Sequence, residues 1–188
     1  NDNNYLAAFR FEADATVIDL TIDMSEAQAA GTQFRAISAK GSITVDNCTF
    51  IGSTAVSNTR AIIFGEGAGA AIGNVTATIT NSTFINWKRA ITDNENAQDA
   101  KAVTITGNSF TNASVNVSAT ESVVFTGNEA DASGVVITSY ASAPSIVVTA
   151  TGNTLDASMS NSIQTNPANV TKDSDAFTMM VANVGNKY

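Results

Sequence analysis

Histidine is absent from this 188-residue chain. That absence removes Ser-His-Asp and Cys-His catalysis, His-ligated zinc and histidine pH switching. Cysteine occurs once, at Cys48, so neither an internal disulfide nor a multi-cysteine metal site can form. Charge is scarce as well. Only 14% of residues are charged, against the usual ~25%. Lys+Arg number 9 and Asp+Glu 17, for a net charge of −8 and a pI near 4.3. Nucleic acids and anionic membranes both require a basic surface, so neither is an expected partner. No run of about 18 apolar residues occurs, and no membrane insertion is expected. The chain contains no Asn-Gly dipeptide, the strongest signal for a tight antiparallel hairpin.

What is abundant points elsewhere. Hydrophobic residues make up 44% of the chain, enough for one domain with a sizeable core, while Thr, Ser and Asn supply the solubility that charge does not. A nine-residue pattern recurs. It reads Ser42-Ile43-Thr44-Val45-Asp46-Asn47-Cys48-Thr49-Phe50, then Thr76-Ala77-Thr78-Ile79-Thr80-Asn81-Ser82-Thr83-Phe84, then Ala102-Val103-Thr104-Ile105-Thr106-Gly107-Asn108-Ser109-Phe110. Looser copies span Ser122 to Ala130 and Val147 to Leu155.

Each copy has the same internal logic. Apolar residues alternate with Thr, the period of a strand. Two apolar columns face one way: Ile43, Ala77, Val103, Val123, Val148, and Val45, Ile79, Ile105, Phe125, Ala150. The Thr-rich columns between them face the other. The alternation stops at Asn47, Asn81, Gly107, Gly127 and Gly152, residue types that tolerate left-handed backbone angles and so allow a sharp bend. Cys48, Ser82, Asn108, Asn128 and Asn153 follow, and an apolar return comes at Phe50, Phe84, Phe110 and Leu155. Second short strands are expected at Arg60 to Phe64, Arg89 to Thr92, Val115 to Val117 and Val135 to Thr138, and a helical turn at Ser25 to Ala30. Stacked coils fit this order, with Asn amides bonding from coil to coil. An antiparallel β-sandwich is the competing arrangement.

The motif I-x-I-x-N-x-x-F resembles the repeats of right-handed parallel β-helix proteins, the pectate-lyase-like superfamily. The resemblance covers about Val17 to Leu155, with an earlier coil at Val17 to Asp23 and a last one at Phe177 to Val181. It implies an all-β fold, a right-handed parallel β-helix (solenoid) of roughly six to seven coils. The expected organisation is a single β-helix domain over 1–188, excised from a longer protein, with 156–175 as a loop insertion. Gly65 to Asn74 and Trp87 to Lys101 are read as further loops. The first of these lacks the Gly-Lys-Ser/Thr of a phosphate loop.

The resemblance fixes fold rather than activity, since the superfamily includes lyases, hydrolases, epimerases, tailspikes and adhesins. Its lyases use a Lys or Arg base, and its hydrolases closely placed Asp residues. Here Trp87, Lys88, Arg89, Asp93, Glu95 and Asp99 cluster in one stretch, but not in the family's arrangement. Asn-Thr-Asp, Gly-His-Gly and Arg-Ile-Lys motifs are all absent. Two readings stand open for this stretch. In one, Trp87, assisted by Tyr140, stacks on a sugar while Lys88, Arg89, Asp93, Glu95 and Asp99 supply polar contacts. In the other, Trp87 packs beneath the loop and the charges balance one another. Asp93-Asn94-Glu95-Asn96, with Asp99, also carries oxygen donors suited to calcium, though without EF-hand spacing. No catalytic set, metal site or cofactor is assigned. The outward Thr columns would form a flat array of hydroxyl and methyl groups able to order water, interrupted at Asp46 and Val124; Thr is equally a favoured β residue.

The expected function is a non-catalytic, adhesin-like binding module of an extracellular or cell-surface bacterial protein, contacting carbohydrate or another cell-surface ligand along one solenoid face. A polysaccharide lyase or glycoside hydrolase is the alternative, and a structural stalk the second alternative.

Overall fold

The computed structural model describes residues 5–27, 33–56, 58–65, 75–93, 100–139, 146–165 and 167–181. Its strands fall into three stacks. The first contains β1 (Tyr5–Phe11), β4 (Gln33–Ala39), β7 (Thr59–Phe64), the second half of β9 (Thr83–Asp93), the middle of β11 (Ser109–Thr126), β13 (Val135–Ser139), β16 (Ser162–Gln164) and β18 (Thr178–Met180). The second contains β2 (Ala15–Ile18), β5 (Ile43–Asp46), β8 (Thr76–Thr80), β10 (Ala100–Thr106), the end of β11, β14 (Val147–Thr151) and β17 (Val170–Lys172). The third contains β3 (Thr21–Asp23), β6 (Thr49–Ile51), the starts of β9 and β11, β12 (Glu129–Asp131) and β15 (Thr154–Leu155).

Among the described residues every strand pairing is parallel. The strands wind round an axis as a parallel β-solenoid. An antiparallel sandwich is excluded by the register alone. Ile79 stands opposite Ile105, and both are fully buried. The two apolar columns read from the sequence align rung by rung and are at most 1% exposed. The Phe column stacks in the same way. Phe50, Phe84 and Phe110 have ring centroids 5.0 and 5.1 Å apart, with planes within 5° and 10° of parallel. Such offset pairs add about 0.5–1.5 kcal/mol beyond their area burial.

The bends follow the expected chemistry. Asn47, Asn81, Gly107, Gly127 and Gly152 all have positive φ, between 50° and 68°. A turn that leaves the sheet exposes backbone groups that must be satisfied, and the next column does so. Ser82 Oγ accepts from Cys48 N (3.0 Å), Asn108 Oδ1 from Ser82 N (2.9 Å), Asn128 Oδ1 from Asn108 N (3.0 Å) and Asn153 Oδ1 from Asn128 N (3.0 Å). The Asn amides also donate to the carbonyls of Ile79, Ile105 and Phe125. Cys48 is the weakest member of this ladder, its thiol directed at the carbonyls of Asp46 and Val17.

Two regions differ from expectation. Strand β9 continues to Asp93 and β10 begins at Ala100, so both ends of the stretch read as a loop at Trp87 to Lys101 are strand, and 94–99 lie outside the described residues. Ala90 and Ile91 are in the core, which keeps that stretch in the first stack. The segment 156–175, read as a loop insertion, carries β16 and β17, each paired to the preceding rung. Their brevity hid them from a periodicity argument. The turn expected at Ser25 to Ala30 is seen only at its start, where Ala27 N donates to Met24 O; residues 28–30 lie outside the described set, as do 66–74 of the Gly/Ala-rich loop.

Asn128→Ala removes one acceptor and one donor from a fully buried position. Its expected destabilisation is about 1–3 kcal/mol, read as a lower urea midpoint. An unchanged midpoint would show that the ladder does not hold the bends.

Candidate functional site

Of the residues singled out from the sequence, Glu95, Asp99 and Tyr140 lie outside the described set. The other four ride on the second half of β9. Trp87 is 1% exposed, and its Nε1 donates to Phe50 O at 3.1 Å. The indole lies against Gly52, where a Cβ would stand 2.8 Å from the ring and 2.3 Å from Asn86 O. Trp87 is therefore a core residue, and the expected sugar-stacking platform does not form from it. The reason is local: Asn86 has φ 59°, which turns the chain there, and Gly52 on the rung below leaves the space that the ring fills.

Lys88 is exposed, and its backbone N–H donates to Thr59 Oγ1 at 3.0 Å. Asp93 is 6% exposed and accepts a short hydrogen bond from the Ser118 hydroxyl. Arg89 is half-buried. Burial first, and then the charge of Arg60, push its guanidinium below the ordinary arginine range, while Asp93 opposes the shift. Among the described residues no group of three or more Cys, Asp or Glu is placed to hold a metal ion.

Arg89 belongs to a column that sequence reasoning missed. Arg35, Arg60 and Arg89 stand in register on β4, β7 and β9. Arg35 and Arg60 are each 7% exposed. Gln33 Oε1 accepts from Arg35 Nη2 and from Arg60 Nη1, both at 3.1 Å, and Asn58 Oδ1 accepts from Arg60 Nη1 at 2.8 Å. The available signal was the tripeptide Arg-Ala-Ile, which occurs at 35–37, 60–62 and 89–91. Gln33, bridging the Arg35 and Arg60 guanidiniums, makes this pair part of the scaffold.

A groove of about 580 Å³ opens at the far end of the first stack, within the size range of small-ligand sites. Its floor is the in-register column Asn116, Val136, Ser162, Thr178, with Met180 beside it. One wall is the segment 157–160. Asp156 Oδ1 accepts from Ser158 N and Oγ and fixes the start of that wall; these bonds hold its carboxyl below the usual carboxylate range. Asn161 ties the wall to the stack, accepting from Val135 N and donating to Asp156 O. The opposite rim carries Asp175, which pairs with Lys172 at 3.6 Å. The lining is thus amide and hydroxyl groups and the Asp175 carboxylate, set among Val136, Met159 and Met180. Sequence analysis missed the groove because its residues come from four separate rungs.

Comparison of the chain with protein-family models, with curated proteins and with solved structures returns no match.

Two outcomes follow from these placements. Trp87→Ala is expected to destabilise the fold by about 3–5 kcal/mol, measured by chemical denaturation; a loss below 1 kcal/mol would contradict a core role. Cys48 is 2% exposed, and burial pushes its thiol upward. It is expected to resist a thiol reagent in native buffer and to react fully in denaturant, and rapid native labelling would contradict that burial.

Proposed function

We propose that the chain is a non-catalytic, adhesin-like binding module of an extracellular or cell-surface bacterial protein, and that it takes a carbohydrate. In this reading the solenoid is a right-handed β-helix of roughly six to seven coils. The groove carries the proposal, because it presents amide and hydroxyl hydrogen-bonding groups and apolar patches together, with the Asp175 carboxylate on its rim. Sugars have that mixed character, with hydroxyls at their edges and C–H groups on their faces. Asn116 and Thr178 on the floor and Ser160 on the wall supply the polar contacts, while Val136 and Met180 meet the C–H faces. With Trp87 in the core, affinity comes from several modest contacts rather than from one aromatic anchor. The chain's net charge of −8 favours neutral glycans over uronates.

Binding is tested by titration calorimetry against neutral and acidic oligosaccharides. The expected result is binding to a neutral glycan without turnover. The double variant Asn116→Ala/Thr178→Ala is expected to weaken it about tenfold, or about 1.4 kcal/mol, while Trp87→Phe leaves affinity unchanged in the folded protein. Product formation on any of these substrates would overturn the non-catalytic reading. An undiminished affinity in the double variant would move the site away from the groove.

A further inference from the structure

The outer surface of the second stack carries a regular array that the carbohydrate reading does not use. One outward column is Thr16, Thr44, Thr78, Thr104, Val124, Thr149, Thr171. The neighbouring column is Ile18, Asp46, Thr80, Thr106, Thr126, Thr151. The structure extends the array beyond the three Thr-x-Thr repeats visible in the sequence, since Thr16 and Thr171 join it at its two ends. Pairing along the first column is in register at every step, so the rows run straight.

Three features make this surface more than a β-rich face. The rungs repeat at about 4.8 Å, and residues i and i+2 on one strand lie about 6.6 Å apart, giving a two-dimensional lattice of hydroxyl and methyl groups. The backing is rigid. The inward residues between the two columns, Val45, Ile79, Ile105, Phe125 and Ala150, are fully buried, and the second-stack strands β5, β8, β10, β11 and β14 each end at a positive-φ bend. Charge is nearly absent: Asp46 is the one ionisable member of the two columns, and it is engaged by Thr80 Oγ1 at 2.7 Å and Asn81 Nδ2 at 2.9 Å. Thr106 and Thr126 bond to one another at 3.1 Å, which still leaves each oxygen able to accept from water.

We propose that this face binds crystalline water. Ice presents oxygens on a flat grid with repeats of the same order as the rung spacing and the i, i+2 spacing. A hydroxyl takes the place of a lattice oxygen, and the adjacent methyl restricts the orientation of the water beside it. A mobile or charged surface orders water around individual groups, whereas a stiff neutral array holds a layer continuous with the crystal. The face is on a different stack from the groove, so the two activities are independent.

The test is nanolitre osmometry and ice-crystal imaging on the full chain. The wild-type protein is expected to shape ice crystals into facets and to open a gap between melting and freezing temperatures. Thr104→Lys, at the centre of the first column, is expected to abolish most of that gap with an unchanged circular-dichroism melt. Thr83→Lys, on the third stack, is expected to retain it. Val124→Thr completes the first column and is expected to widen the gap, so the proposal remains testable even where a lysine variant misfolds. Round, unfaceted crystals with no gap for the wild type would overturn it. So would equal losses in Thr104→Lys and Thr83→Lys, or a narrowed gap in folded Val124→Thr.

Discussion

A parallel rung every 4.7–4.9 Å places chemically equivalent positions directly above one another, and the rest of this structure answers to that stacking. A side chain that suits one rung must also tolerate copies of itself above and below. Ile, Val and Phe meet the condition inside, where like surfaces pack and rings stack in parallel. Thr meets it outside, and Asn at the bends, where an amide both accepts and donates along the stack. Ionised groups meet it poorly, because equal charges in register repel. The low charge content and the Thr/Asn richness of the chain are two expressions of one constraint.

The bends show the constraint most clearly. A strand that turns off one face of the solenoid leaves its backbone N–H pointing along the stack, away from water. Ser82, Asn108, Asn128 and Asn153 supply the missing acceptors, each serving the rung before it. A second ladder uses the same device at the next corner, where Ser133 Oγ accepts from Ala113 N and Asn161 Oδ1 from Val135 N. The Arg35, Arg60, Arg89 column sets like charges in register, and the carboxamides of Gln33 and Asn58 engage Arg35 and Arg60 there.

Function, in this reading, sits where the regularity changes. The groove forms where the first stack narrows to the short strands β16 and β18 and a wall fixed by Asp156 rises beside them. The water-ordering face forms where the regularity is most complete. The same backbone thus offers a concave site with mixed chemistry and a flat site with uniform chemistry, on different stacks.

The residues that repeat were legible in the sequence. Alternation of Ile and Val with Thr, the Asn or Gly at each bend, and the Phe return mark strand, turn and core in the sequence, because each depends on near neighbours in the chain. Side-chain destinations were not legible where they depend on another rung. Trp87 reads as a ligand platform beside Lys88 and Arg89, and only Gly52, on the preceding rung, opens the space that takes it into the core. Arg60 and Arg35 gained their meaning only once register set them beneath Arg89. Asn116, Val136, Ser162 and Thr178 share no motif, and nothing but the winding of the backbone brings them to one floor. The sequence by itself determined the local period and the places where it breaks, since both are short-range preferences of backbone and side chain. The tertiary structure alone decided which residues from distant rungs share a surface, since that follows from the length of each turn and the offset between successive strands.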